Sequence, residues 1–173
     1  MSRTGPRLGE PASLWRMRIV PIATVMVASA LPLMLPLVAS SPVLPPFGLL
    51  FFLCWQLLRT EMWPVWIGLP LGLWNDLFSG APIGTAIGLW TIASITIHYL
   101  SQRIYWRGFF HDWAIAAILI AAVQALSALI VHPHADSGRI LGLVLPQIVI
   151  SMLLVPLFLR LTGKFDNFRL KRR

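Results

Sequence analysis

Asp76 is the acidic residue whose neighbours suggest a specific chemistry, because it lies in a regular run of glycines. Positions 68, 72, 76, 80, 84 and 88 are Gly, Gly, Asp, Gly, Gly and Gly. A spacing of four places residues on one face of a helix, and a carboxylate in an apolar environment is costly unless it is paired. Three roles are open for Asp76: a hydrogen-bond acceptor that fixes two helices together, a solvated acid without a role, or a ligand or proton-transfer site.

A second polar group consists of His132, His134 and Asp136, whose alternating spacing could hold a metal ion. It has no evident fourth ligand, and Pro133 separates the two histidines, so we expect neither a metal nor another cofactor. The sequence also lacks the Gly-x-Ser-Gly motif of membrane serine proteases, a His-Glu-x-x-His zinc motif and a phosphate-binding loop. These features favour a protein that is not an enzyme.

The elements that must position Asp76 are apolar helices. Apolar and aromatic residues make up 57% of the 173 residues and charged residues only 12%, which leaves too little polar surface for a soluble domain. Cys54 is the only cysteine, which argues against a disulfide scaffold. Because a spanning helix needs about 20 apolar residues, we predict an all-α, polytopic integral membrane protein with six transmembrane helices. The predicted spans are residues 19–38, 44–58, 62–78, 83–100, 113–131 and 140–159.

The positive charges predict how these spans are oriented. The chain has 14 Lys and Arg against 6 Asp and Glu, a net charge of +8, and 13 of the 14 basic residues fall on one side of the six-span arrangement. By the positive-inside rule that side is the cytoplasm, and both termini lie there. The chain then divides into a tail over 1–18, a transmembrane domain over 19–159 and a basic tail over 160–173. The first span could also be a signal peptide, but its length favours an uncleaved anchor.

The basic residues follow one predicted membrane face and form no stripe on a folded domain, so they indicate anionic lipid headgroups and not nucleic acid. In the C-terminal tail they alternate with Phe165 and Phe168, which favours an interfacial anchor. A docking site for a cytoplasmic partner is the alternative. The basic residues of this anchor are Lys164, Arg169, Lys171, Arg172 and Arg173.

The glycine run predicts a tight helical hairpin. Gly68 and Gly72 on the third helix, and Gly84 and Gly88 on the fourth, form small-xxx-small pairs that allow helix backbones to approach closely. Gly80 can adopt the left-handed conformation that ends a helix, and Pro82 suits the first turn of the next one. We expect the Asp76 carboxylate to accept hydrogen bonds from the free amides around Ile83 and Gly84.

Other polar and small residues predict contacts between helices. Ala117, Ala121 and Ala125, with Gln124 beside them, form a close-packing face on the fifth helix. This face packs inside the bundle or against a partner, and a homo-oligomer is possible. Gln56, Gln124 and Gln147 lie at membrane depth, where we expect their amides to bond neighbouring helices.

The hairpin also resembles a known family. The segment Gly72-Leu73-Trp74-Asn75-Asp76-Leu77-Phe78-Ser79-Gly80-Ala81-Pro82-Ile83-Gly84 is similar to the Asp and Gly-x-Pro-x-Gly pattern of the rod shape-determining protein MreD family of bacterial inner membranes. Trp55, Arg59, Trp63 and Pro64 upstream of it also look like the family. The resemblance covers residues 45–89, and Ile83 replaces the usual Leu.

This resemblance implies a fold similar to the substrate-binding subunits of energy-coupling-factor vitamin transporters. It implies a multi-pass, non-enzymatic scaffold of the cell-elongation complex that binds MreC, together with MreB, RodA and a class B penicillin-binding protein, and helps direct sidewall peptidoglycan synthesis. A solute-binding transporter subunit is the alternative function. Such subunits commonly carry an Ala-x-x-x-Ala face on the first helix, where this chain has only Thr24 and Ala28.

Overall fold

The computed structural model describes residues 14–34, 44–103, 108–131, 133 and 137–170. Within these ranges the chain forms helices and no strand, which confirms the all-α prediction for this part of the protein. The α-helices are α1 (Leu14–Met34), α2 (Phe47–Leu58), α3 (Gly68–Ser79), α4 (Thr85–Arg103), α5 (Phe109–Val131) and α6 (Ser137–Leu170). Two short 3-10 helices, Thr60–Met62 and Val65–Ile67, connect α2 to α3.

Two helices depart from the predicted spans by six residues or more at one end. The third span was predicted from Met62, but α3 begins only at Gly68. Pro64 restricts the residue before it to an extended backbone, and Trp63 indeed has φ −101° and ψ 122°. At the other end of the chain, α6 continues to Leu170, eleven residues beyond the predicted boundary at Leu159, so the segment predicted as a tail begins as helix.

The helix α2 forms the centre of the core. Nine of its twelve residues are buried, and it contacts α1, α4, α5 and α6. Phe52 stacks on Trp90 of α4 with ring centroids 4.8 Å apart. The Gln56 amide donates to the Ser94 hydroxyl at 2.7 Å, which confirms the predicted bond from Gln56 to a neighbouring helix. A helix that is apolar on nearly all sides suits such a central position, because it brings few polar groups that need hydrogen-bond partners.

The pair α5 and α6 is joined by two polar contacts. The Gln124 amide donates to the Ser151 hydroxyl at 3.1 Å, which confirms the predicted interhelical bond. The Trp113 indole donates to the Met152 carbonyl at 3.2 Å. That carbonyl lies four residues before Pro156, which has no N–H to bond it, so the indole supplies the donor that the proline removes. The third amide, Gln147, bonds the Leu44 carbonyl, just before α2.

Two segments of the structure are long and apolar enough to cross a membrane, Phe109–Val131 and Val144–Phe168. The apolar helical segments Ile19–Met34 and Phe47–Leu58 are shorter. At about 1.5 Å per residue, the twelve residues of α3 cover about 18 Å of a hydrocarbon core that is about 30 Å thick. The presence of two candidate spans agrees with a membrane protein, and the six-span arrangement stays a prediction.

Candidate functional site: an aspartate-clamped helical hairpin

Asp76 joins the end of α3 to the beginning of α4. Its side chain is 3% exposed. One carboxylate oxygen accepts the amides of Gly84 at 2.9 Å and Ile87 at 3.3 Å, and the other accepts the amide of Ala86 at 2.9 Å. Amides at the start of a helix have no intrahelical carbonyl to bond, and the positive end of the helix dipole favours a carboxylate there. The predicted hydrogen bond from the Gly84 amide is confirmed, whereas the amides of Ala86 and Ile87, and not that of Ile83, supply the other bonds.

The turn between the two helices depends on two glycines. Gly80 ends α3 with φ +69°, the predicted left-handed conformation. Gly84 has φ +110°, so the backbone cannot follow a helix through this residue and α4 begins only at Thr85. Pro82 therefore lies in the turn and not, as predicted, in the first turn of α4. Its carbonyl accepts the Thr85 amide at 3.1 Å and the Thr85 hydroxyl at 2.8 Å.

Gly68 and Gly72 allow the backbones of α3 and α4 to touch. A Cβ atom added to Gly68 would lie 2.7 Å from the Thr91 Cα atom. A Cβ atom added to Gly72 would lie 2.6 Å from the Ala86 carbonyl oxygen. Both distances are to backbone atoms, so no side-chain rotation could make room. This confirms the predicted close-packing pair on α3.

The predicted pair on α4 is wrong. A Cβ atom added to Gly84 or Gly88 would meet no atom within 4 Å, so neither glycine takes part in close helix packing. The backbone atoms of α4 that lie next to Gly68 and Gly72 belong to Ala86, Ile87, Trp90 and Thr91. A separation of two residues corresponds to about 200° around a helix, which places Gly88 on the side of α4 opposite Ala86.

The alanine face of α5 divides between interior and surface. Ala117 and Gln124 are buried, Ala121 is half-buried and Ala125 is exposed. Four residues cover about 400° of a helix, so a line of residues at this interval drifts by about 40° at each step. The face packs inside the bundle at Ala117 and has turned outward at Ala125.

An ion pair that sequence reasoning missed joins α2 to α6. Arg59 donates from Nη2 at 3.0 Å and from Nε at 3.2 Å to one oxygen of Asp166, which is 5% exposed. For the segment that contains Asp166 the sequence predicts only a basic interfacial anchor. The two residues are 107 positions apart, so no local spacing could indicate the pair, although Asp166 is the one acid among the basic residues of residues 160–173.

Other predicted residues do not join this hairpin. Lys164 is exposed on α6, and the backbone of Arg169 belongs to the same helix. Lys171, Arg172 and Arg173 lie outside the described residues, as do His132, His134 and Asp136. In the part of the chain that the structure describes, no three His, Cys, Asp or Glu residues could together hold a metal ion.

We expect the Arg59–Asp166 pair to stabilise the bundle modestly. Arg59 is 47% exposed on its side chain, so water screens the attraction and the coupling free energy should be about 1 kcal/mol. The measurement is a double-mutant cycle of Arg59→Gln and Asp166→Asn on unfolding of the detergent-purified protein. Purely additive effects of the two substitutions would show that the ion pair contributes nothing.

The chain was compared with protein-family models, with curated proteins and with solved structures, and no match was found in any of them.

Proposed function

We propose that this protein is a non-enzymatic, six-helix scaffold in the bacterial inner membrane, with both termini in the cytoplasm. In this role it binds an MreC-like partner of the cell-elongation complex and helps maintain cell shape and direct sidewall peptidoglycan synthesis. The observation that carries the proposal is the clamped hairpin. Gly72, Asp76, Gly80, Pro82 and Gly84, the residues of the MreD-like segment, all belong to this one structural element.

The bonding of Asp76 favours a structural role over catalysis. Both carboxylate oxygens accept backbone amides, and the side chain is almost fully buried. A general acid or base must exchange its proton with a substrate within hydrogen-bond reach, and a buried carboxylate bonded to three amides has little capacity for this. A fixed hairpin, in contrast, is what a scaffold needs in order to present a helix face of constant shape.

The hairpin presents such a face. Leu73 and Leu77 on α3 are 43% and 61% exposed, and Ile83 in the turn is 74% exposed. In the proposed membrane location these apolar side chains contact lipid or a partner helix, where close packing drives association. The clamp keeps α3 and α4 from sliding past each other, so the side chains of both helices stay in register.

The function is tested by depletion of the protein in its native host, for which the proposal implies a rod shape, followed by microscopy. We expect the cells to round up, and we expect a plasmid copy of the wild-type gene to restore rods. Asp76→Leu should fail to restore them, whereas Asn75→Leu, a matched change at the neighbouring half-buried residue, should succeed. Depleted cells that stay rod-shaped would contradict the scaffold function, and a new vitamin requirement in such cells would indicate the transporter subunit instead.

A further inference from the structure

A groove lies between the N-terminal half of α1 and the C-terminal part of α6. Its volume is about 570 Å³, and it is a largely open groove rather than an enclosed cavity. Apolar side chains form nearly all of its wall, and one lysine lies at its edge. The residues around it are Ile19, Val20, Ala23, Thr24, Lys164, Phe165 and Phe168.

The Thr24 hydroxyl group on the groove wall already has hydrogen-bond partners, so among the lining residues only Lys164 offers a polar side-chain group to an occupant. The Thr24 hydroxyl donates to the Pro21 carbonyl at 2.8 Å and accepts from the Trp55 indole at 2.9 Å. It therefore offers no further strong hydrogen bond in the direction of the groove. An occupant in contact with this wall must be apolar over most of its length.

The positive charges near the groove indicate that one end of the occupant is anionic. Lys164 and Arg160 are exposed and one turn apart on α6, and neither has an acidic partner in the described part of the chain. The neighbouring acid, Asp166, is held by Arg59 at 3.0 Å, so it does not neutralise them. A cation on the wall of an apolar groove, with a second cation one turn away on α6, complements a molecule with an anionic head and a hydrocarbon tail.

We propose that this groove binds an anionic phospholipid, with an acyl chain against its apolar wall and the phosphate beside Lys164. The proposal rests on the membrane location proposed above but not on the scaffold role. It places the lipid in the leaflet that faces the cytoplasm, where the basic termini are expected. A lipid bound there would hold the first and last helices of the chain together.

The experiment measures lipid retention by native mass spectrometry of the full-length protein, purified from vesicles of equal parts dioleoylphosphatidylglycerol and dioleoylphosphatidylcholine. We expect the wild-type protein to retain more of the anionic lipid. Lys164→Gln should reduce the ratio of retained phosphatidylglycerol to phosphatidylcholine by about fivefold, the factor that one lysine near an anionic headgroup contributes. Ala23→Phe should fill the groove and reduce the retention of both lipids.

Matched controls separate this site from general effects. Arg103→Gln removes an exposed cation of α4 that does not line the groove, and Ala122→Phe adds the same ring to an exposed position of α5; both should leave retention unchanged. Equal retention of the two lipids by the wild type, or equal effects of Lys164→Gln and Arg103→Gln, would overturn the proposal. So would an Ala23→Phe variant that keeps its lipid but loses self-association, because the groove would then hold a second copy of the chain. Since purified protein is used, this result is independent of the cell-shape test.

Discussion

Asp76→Leu is expected to lower the free energy of unfolding by about 3–5 kcal/mol, because it leaves three amides at the start of α4 without an acceptor. The amides of Gly84, Ala86 and Ile87 bond this one side chain, and the Ala86 amide is buried. Water or lipid cannot easily replace the carboxylate at a position that is 3% exposed. The start of α4 should therefore loosen from α3, and the variant should accumulate poorly in membranes.

Asp76→Asn should be destabilised less than Asp76→Leu. An asparagine keeps one carbonyl acceptor, but it replaces the second oxygen with an amino group that faces the donors of α4. Thermal unfolding in one detergent would rank the wild type first, the Asn variant second and the Leu variant last. Asn75→Leu serves as the control, because it adds the same side chain one residue away while the carboxylate stays. If both Asp76 variants insert, accumulate and unfold like the wild type, the clamp is not a stabilising contact.

The hydrogen bonds of Asp76 could be predicted because their donors are close to it in the sequence. The acid and the amides it bonds lie only eight to eleven residues apart, and a turn that contains Gly80 and Pro82 brings them together. Free amides at the beginning of a helix need acceptors whatever the rest of the fold does. A short stretch of sequence therefore contains the donors, the acceptor and the turn. Only the structure shows that three amides donate to the same carboxylate.

Features that depend on distant parts of the chain could not be predicted in this way. A spacing of four predicts that Gly84 and Gly88 share one face of a helix, but it does not say where α4 begins or which of its faces packs against α3. The pair between Arg59 and Asp166 depends on how α2 and α6 pack. The sequence does not predict that α6 continues beyond Leu159. Charged residues follow that position, and they end the apolar span but do not end the helix.

Gly72→Ala is expected to lower the free energy of unfolding by about 1–3 kcal/mol, because the new methyl group would lie too close to the backbone of α4. The distance of 2.6 Å to the Ala86 carbonyl oxygen can increase only if one of the two helices moves. Gly88→Ala is the matched control on the facing helix. Its methyl group meets open space, and alanine is favoured over glycine within a helix by about 0.5–1 kcal/mol, so this variant should be slightly more stable than the wild type.

The two hairpin contacts should also depend on each other. A displacement of α4 by the Gly72→Ala methyl group would lengthen the hydrogen bonds that the Gly84 and Ala86 amides donate to Asp76, since those amides belong to the displaced segment. Asp76→Leu should therefore cost less in the Gly72→Ala background than in the wild type, and a double-mutant cycle on thermal or denaturant unfolding measures the difference. Equal costs in both backgrounds would mean that the clamp and the glycine contact act separately. Destabilisation by Gly88→Ala as large as that by Gly72→Ala would mean that the helices pack through the opposite face of α4.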